Sequence, residues 1–142
     1  MNRLSVIIVG LALAALTAFY LSDEGTIDSE LNQEYVYWAQ IMTDNGIDIS
    51  RSESLRVLNY AEMGADMAGR SNKFSNLIYV NALEKGNPMT VRAIVWHELG
   101  HYTFDLEHGE CRLMDAERHT HEYYAENWRN LETEYISLLL QK

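Results

Sequence analysis

Cysteine and proline are almost missing from this chain, which has one of each among 142 residues. The single cysteine, Cys111, cannot form a disulfide within the chain, and C-x-x-C metal or redox sites are excluded. Positive charge is also scarce, since 11 Lys and Arg stand against 21 Asp and Glu, a formal net charge of −10. Because there is no basic surface to neutralise phosphates, we expect no nucleic-acid partner.

The chain does have ordinary core material, with 47% apolar and 11% aromatic residues. This composition argues against disorder, and the length fits one globular domain. We therefore divide the chain into an N-terminal membrane anchor or signal segment, residues 1–22, and a folded domain, residues 23–142.

An uncharged run of 18 residues extends from Leu4 to Leu21. As a helix it would span roughly 27 Å, close to the ~30 Å hydrocarbon core, which favours an uncleaved transmembrane helix. The small residues between Ala12 and Ala18 keep a cleavable signal as the alternative. Arg3 places the short N-terminal end in the cytoplasm, so the domain is expected to be exported, either membrane-bound or secreted (periplasmic) after cleavage.

Periodicity predicts the first elements of the domain. An apolar stripe of helical spacing follows a cap at Asp28 or Ser29 and stops at Asn45-Gly46; its members are Leu31, Tyr35, Trp38 and Met42. One strand is expected within Ser54–Tyr60 and a second at Asn76–Ala82, separated by a glycine-containing loop at 64–69. The second strand either offers a free edge to an extended peptide or lies inside the sheet.

Two further helices are predicted. One begins at Pro88 after an Asn87 cap and buries Val91, Ile94, Val95 and Leu99. The last runs roughly from Asp115 to Leu139, with a stripe formed by Tyr124, Trp128, Leu131, Tyr135 and Leu138. The order of helix, short sheet, helix, irregular segment and helix indicates the α+β class.

The second helix of the domain carries His97-Glu98-Leu99-Gly100-His101, an H-E-x-x-H sequence. Histidines four residues apart lie on one helical face, so both imidazoles can reach one zinc ion. Glu98, between them, can act on a water bound to that metal. The sequence therefore predicts a zinc site, with ordinary helix histidines as the alternative.

A catalytic zinc needs a third protein ligand, and His108 is the leading candidate. In an unbroken helix His108 would lie about 10 Å beyond His101, too far for a metal bond. The helix must therefore end near Thr103 or Phe104 and turn back, most simply through a left-handed Asp105. The other candidates are Glu122, Glu126, His119 and His121.

The segment from His97 to His108, followed by Leu113-Met114-Asp115, resembles the zincin metallopeptidases of metzincin type. Their third histidine usually comes one residue earlier and follows a glycine. A closer resemblance is to short metallopeptidase-like proteins of bacteria and phages, which share the later histidine, have glycine where Asp105 stands, and carry a segment like Ala68-Gly69-Arg70. The resemblance covers most of Leu31 to Ile136, and only the metal motif is specific.

The resemblance implies a zincin-like fold and a peptidase with a methionine turn beneath the metal, here Met114. Ordinary core packing is the alternative for this residue. Zinc held by His97, His101 and His108 would lower the pKa of its water to about 7, and Glu98 would take the proton as general base. The expected substrate is a peptide or protein, cut by an endopeptidase more readily than by an exopeptidase. The oxyanion donor is unranked among Tyr123, Tyr124, His119 and His121.

Other functions stay open. The domain is alternatively a zinc-binding but inactive exported module, or a structural membrane-anchored domain with a chance motif. Cys111 is either a small buried residue or a latent thiolate ligand. A group of acidic side chains either favours basic substrates or forms a solvated face; it consists of Glu107, Glu110, Asp115 and Glu117.

Overall fold

The computed structural model describes residues 26–142. Within them lie three helices and a three-stranded sheet, so the expected α+β class is confirmed. The elements are α1 (Ser29–Asp44), β1 (Val57–Ala61), β2 (Gly69–Asn72), β3 (Leu77–Asn81), α2 (Pro88–Phe104) and α3 (His121–Leu139). The anchor or signal segment expected at 1–22 lies outside the described residues. Among the helices of residues 26–142, none has the length and apolarity needed to cross a membrane.

The sheet has the order β1-β3-β2, with β3 parallel to β1 and antiparallel to β2. Only two strands were expected, and β2 was missed because its sequence, Gly-Arg-Ser-Asn, has no apolar alternation. β3 is the central strand, so the free edge considered for Asn76–Ala82 is wrong and the internal alternative is right. Within the described chain, β2 has no further strand on its outer side.

The core is built around α2, which packs against α1, α3, β2 and β3. Most of its residues are buried, including the four predicted ones. The Trp96 ring meets Trp128 of α3 edge-on, with 5.1 Å between ring centroids. Because α2 is covered on several sides, it forms a rigid central element from which a site can be presented.

The helix ends agree in part with expectation. Asp28 caps α1, since its carboxylate accepts a hydrogen bond from the Glu30 N–H at 2.9 Å. Asn87 precedes α2 as predicted but makes no side-chain capping bond.

The predicted start of the last helix at Asp115 is wrong. α3 begins at His121, because the Thr120 hydroxyl oxygen caps it by accepting from the Tyr123 N–H at 3.2 Å. Leu139 rather than Leu138 completes its buried stripe. In the irregular segment before α3, residues 112–114 pack against α2.

Candidate metal centre and cleft

Three imidazoles converge at one point. The Nε2 atoms of His97 and His101 are 2.9 Å apart, and that of His108 lies 3.2 Å from the first and 3.1 Å from the second. Two nitrogens bound to one tetrahedral zinc at ~2.05 Å would lie about 3.3 Å apart. In residues 26–142 these three histidines form the one group of side chains close enough to hold a metal ion.

The hydrogen bonds of the two helix histidines determine their tautomers. His97 Nδ1 lies 2.9 Å from the Leu113 carbonyl oxygen, and His101 Nδ1 lies 2.6 Å from the Leu106 carbonyl oxygen. A carbonyl only accepts, so each Nδ1 carries the proton and each neutral ring has a bare Nε2. Two bare lone pairs cannot bond to each other, and a cation between them removes their repulsion. The residues present therefore fit a metal ion.

Burial keeps these rings neutral. Desolvation lowers the pKa of His97 to about 4, against the opposing hydrogen bond to the Leu113 carbonyl. The pKa of His101 is also lowered, again mainly by burial. Neutral imidazole is the form that binds metal, so both helix histidines are available as ligands at pH 7.

The return of His108 depends on the turn after α2. The helix ends at Phe104, and Asp105 is left-handed with φ 55° and ψ 31°, as expected. The Leu106 N–H donates to the Gly100 carbonyl at 3.2 Å, which closes the helix end. The Asp105 carboxylate pairs with Arg51 at 2.5 Å and also with Lys73.

The other third-ligand candidates lie outside the histidine group. Glu122 and Glu126 are exposed on α3, and His119 stacks on Tyr123 with 4.1 Å between ring centroids. His121 is the first residue of α3. Cys111 is buried, its thiol pKa is raised by burial, and it is not part of the group, which supports its interpretation as a small buried residue.

Met114 is fully buried against the turn of α2 that carries His97 and His101. A Cβ on Gly100 would come within 2.8 Å of Met114 Sδ and 3.0 Å of Tyr135 Oη. Only glycine allows this approach without displacing one of these side chains. Met114 is thus in a position to be both a floor under the helix-borne histidines and a core residue.

Glu98 is buried directly beneath strand β2. A Cβ on Gly69 would meet Glu98 Oε1 at 2.9 Å and Ile94 Cγ2 at 2.7 Å. The backbone of β2 thus crosses α2 so closely that there is no room for a side chain at residue 69. Burial raises the pKa of Glu98 to about 7, while a hydrogen bond with the Ser71 side chain opposes the rise. A carboxyl group with this pKa both accepts and releases a proton near neutral pH.

A cavity of about 190 Å³ lies beside His97 and Glu98. Its walls come from the loop before β2, from α2 and from residues 115–118. Of the four oxyanion candidates, Tyr124 lines this cavity, and its hydroxyl oxygen accepts from the His119 N–H at 3.2 Å. Tyr123, His119 and His121 do not line it.

Sequence reasoning missed Ser71 and Arg118. Ser71 contacts Glu98 from the overlooked strand, and Arg118 lines the cavity while pairing with buried Glu84. Neither residue belongs to a recognisable motif, because both act through contacts between distant parts of the chain. No protein-family model, curated protein or solved structure matches this chain.

Proposed function

We propose that this chain is a zinc-dependent metallopeptidase. The observation that carries the proposal is the pair of bare Nε2 atoms on His97 and His101, held 2.9 Å apart with His108 beside them. Such an arrangement is electrostatically unfavourable without a cation. Glu98, whose carboxyl group is buried beside His97, adds the acid-base group that peptide hydrolysis requires.

The chain supplies the ligands and the proton carrier. His97, His101 and His108 would hold zinc, which when bound supplies Lewis-acid polarisation of the scissile carbonyl and a lowered pKa of water. Glu98 takes a proton from the attacking water and delivers it to the leaving amine. Without metal, burial raises the pKa of Glu98 to about 7, and the charge of a bound zinc would lower it, which favours the carboxylate that accepts the proton.

Strand β2 is suited to hold the substrate. It forms an edge of the sheet and crosses α2 at Glu98, so a peptide paired with its outer backbone groups would run past the catalytic residues. An open strand edge accommodates the middle of a longer chain, which favours an endopeptidase. Tyr124, on the cavity wall, is our candidate for the oxyanion donor.

We also propose that residues 1–22 tether the domain to a membrane, with the N-terminus in the cytoplasm and the domain exported. Cleavage of this segment would give a secreted or periplasmic enzyme. The support is the uncharged run from Leu4 to Leu21.

The test compares the full-length chain with Glu98→Gln, His108→Ala and Glu126→Gln. Zinc per chain is measured by metal analysis, and turnover by cleavage of an unfolded protein such as casein. We expect about one zinc per chain in both wild type and Glu98→Gln. Of these two proteins, only Glu98→Gln should lose turnover. Glu126→Gln removes an exposed carboxylate from α3 and serves as the matched control.

The outcomes separate the alternatives. Zinc binding without turnover in wild type would identify an inactive zinc-binding module. A folded, zinc-supplemented chain that holds no zinc would overturn the proposal and leave a structural domain. Unchanged turnover in zinc-loaded Glu98→Gln would remove this residue from the mechanism.

A further inference from the structure

The cavity beside Glu98 has an apolar wall. Met67 from the loop before β2, Ile94 from α2, Leu113 and Tyr124 all line it. Its volume of about 190 Å³ is smaller than that of typical sites for whole small molecules, which take about 300–1,000 Å³. The cavity is therefore suited to one long side chain that enters from a bound peptide.

Besides Glu98, three carboxylates line the same cavity, contributed by Asp66 on one side and by Asp115 and Glu117 on the other. Asp66 and Glu117 are exposed, whereas Asp115 is half-buried. The one cationic side chain on the wall, Arg118, is paired with the buried carboxylate of Glu84. The charge of Arg118 is thus balanced locally, and the three carboxylates exceed the two positive charges that a zinc ion at His97 and His108 would add.

An apolar wall with an anionic rim matches a long aliphatic side chain that ends in a cation. The methylene groups of lysine or arginine pack on apolar surface while the charged end reaches polar surroundings. A negatively charged side chain would be repelled, and a short one would leave the wall exposed. This combination of cavity and charge, rather than the acidic residues alone, defines the ligand chemistry.

We infer that the cavity binds a lysine or arginine side chain adjacent to the peptide bond that is cut, so that the enzyme prefers basic substrates. This inference rests on the proposed function. It assigns specificity to Asp66 and Glu117, which take no part in metal binding or proton transfer.

The test uses the zinc-loaded full-length chain and peptides that differ only at the residues flanking the cleaved bond. Lysine and arginine are compared with norleucine, which keeps the methylene chain without the charge, and with glutamate. We expect kcat/KM for lysine to exceed that for norleucine by about tenfold, and glutamate to be the poorest substrate. Added salt should reduce the ratio of lysine to norleucine.

Variants locate the source of the preference. Asp66→Asn and Glu117→Gln should each lower the lysine-to-norleucine ratio, and the double variant, which keeps only Asp115 of the three, should lower it further. Glu126→Gln removes the same charge from an exposed position outside the cavity and should leave the ratio unchanged. Equal lowering by Glu126→Gln would assign the preference to the overall negative charge and overturn the inference.

Failure of the inference is distinguishable from failure of the proposed function. Cleavage of the norleucine peptides with no preference for lysine or arginine would overturn the specificity and leave the peptidase. No cleavage of any peptide by the zinc-loaded chain would overturn both.

Discussion

The candidate metal centre has two parts with different support. The helix-borne part, His97, Glu98 and His101, lies on α2, and each of its histidines has Nδ1 bonded to a backbone carbonyl. The loop-borne part is His108, which is exposed. Its Nε2 lies within hydrogen-bond distance of the Nε2 atoms of His97 and His101. The helix-borne part is thus oriented before a metal arrives, whereas His108 is oriented by the turn that carries it.

The difference shows how a small domain distributes the requirements of a site. Burial and backbone hydrogen bonds keep the helix-borne histidines rigid and neutral, which is the form that binds metal. A ligand on an exposed loop can adjust to the metal and complete the coordination. We expect the helix-borne part to dominate affinity and stability, and the loop-borne part to be more tolerant of change.

The largest expected effect is on zinc affinity. His101→Ala should weaken zinc binding more than about 100-fold, because loss of a ligand exceeds the 10–100-fold loss seen for partners that merely orient ligands. His108→Ala should weaken it less, because the oriented pair stays in place. Competition with a chromophoric chelator measures both affinities, and His121→Ala is the control. Equal losses in the two ligand variants would contradict the comparison.

The next prediction concerns stability without metal. Burial raises the pKa of Glu98 from an ordinary 4.5 to about 7. The contribution of protonated Glu98 to the free energy of unfolding is therefore fully present below pH 4.5 and is lost as the pH rises through 7. Glu98→Gln should therefore stabilise the metal-free chain by up to roughly 3 kcal/mol at pH 8 and hardly at all at pH 4.5. Urea unfolding at a series of pH values measures the difference.

His97 titrates in the opposite sense. Burial lowers its pKa to about 4. The contribution of neutral His97 to the free energy of unfolding is therefore fully present above pH 6.5 and is lost as the pH falls through 4. Glu98→Gln should leave this loss visible as falling stability on acidification. Stability of Glu98→Gln that does not fall between pH 6.5 and pH 4 would show that His97 is not desolvated in the metal-free chain.

A pair of glycine variants sharpens the comparison. Gly100→Ala places a Cβ 2.8 Å from Met114 Sδ and should cost about 1–3 kcal/mol, partly offset by the higher helix propensity of alanine. Gly109→Ala, in the loop, meets no atom within 4 Å and should cost roughly 1 kcal/mol from its positive φ alone. Denaturant unfolding compares them, and a larger cost for Gly109→Ala would reverse the ranking.

The smallest expected effect is at Asp105. Asp105→Gly removes the left-handed strain and also the exposed ion pairs with Arg51 and Lys73, so stability should change by less than about 1 kcal/mol. Zinc affinity should stay near that of wild type. Asp105→Val, which resists positive φ, should lower both, and thermal unfolding with metal titration distinguishes the two variants.

Local patterns made α2 and its histidines predictable. The spacing of His97 and His101, the run of apolar residues and the distance to His108 all follow from helix geometry. Strand β2 was not predictable, because Gly69–Asn72 is extended only through pairing with β3. The contacts of Ser71 and Gly69 with Glu98 depend on that pairing, so the environment that raises the pKa of Glu98 could not be read from the sequence.

The two edges of the sheet are unequal. Ile27 forms a bridge with Leu58 on the outer side of β1, so the described chain covers part of that edge with its own backbone. The outer side of β2 is then the more accessible place for a foreign strand to join. Pairing with a substrate peptide and self-association of the protein would compete for the backbone of β2, Gly69–Asn72. A bound peptide should therefore act as a solubilising ligand and suppress aggregation of the concentrated protein.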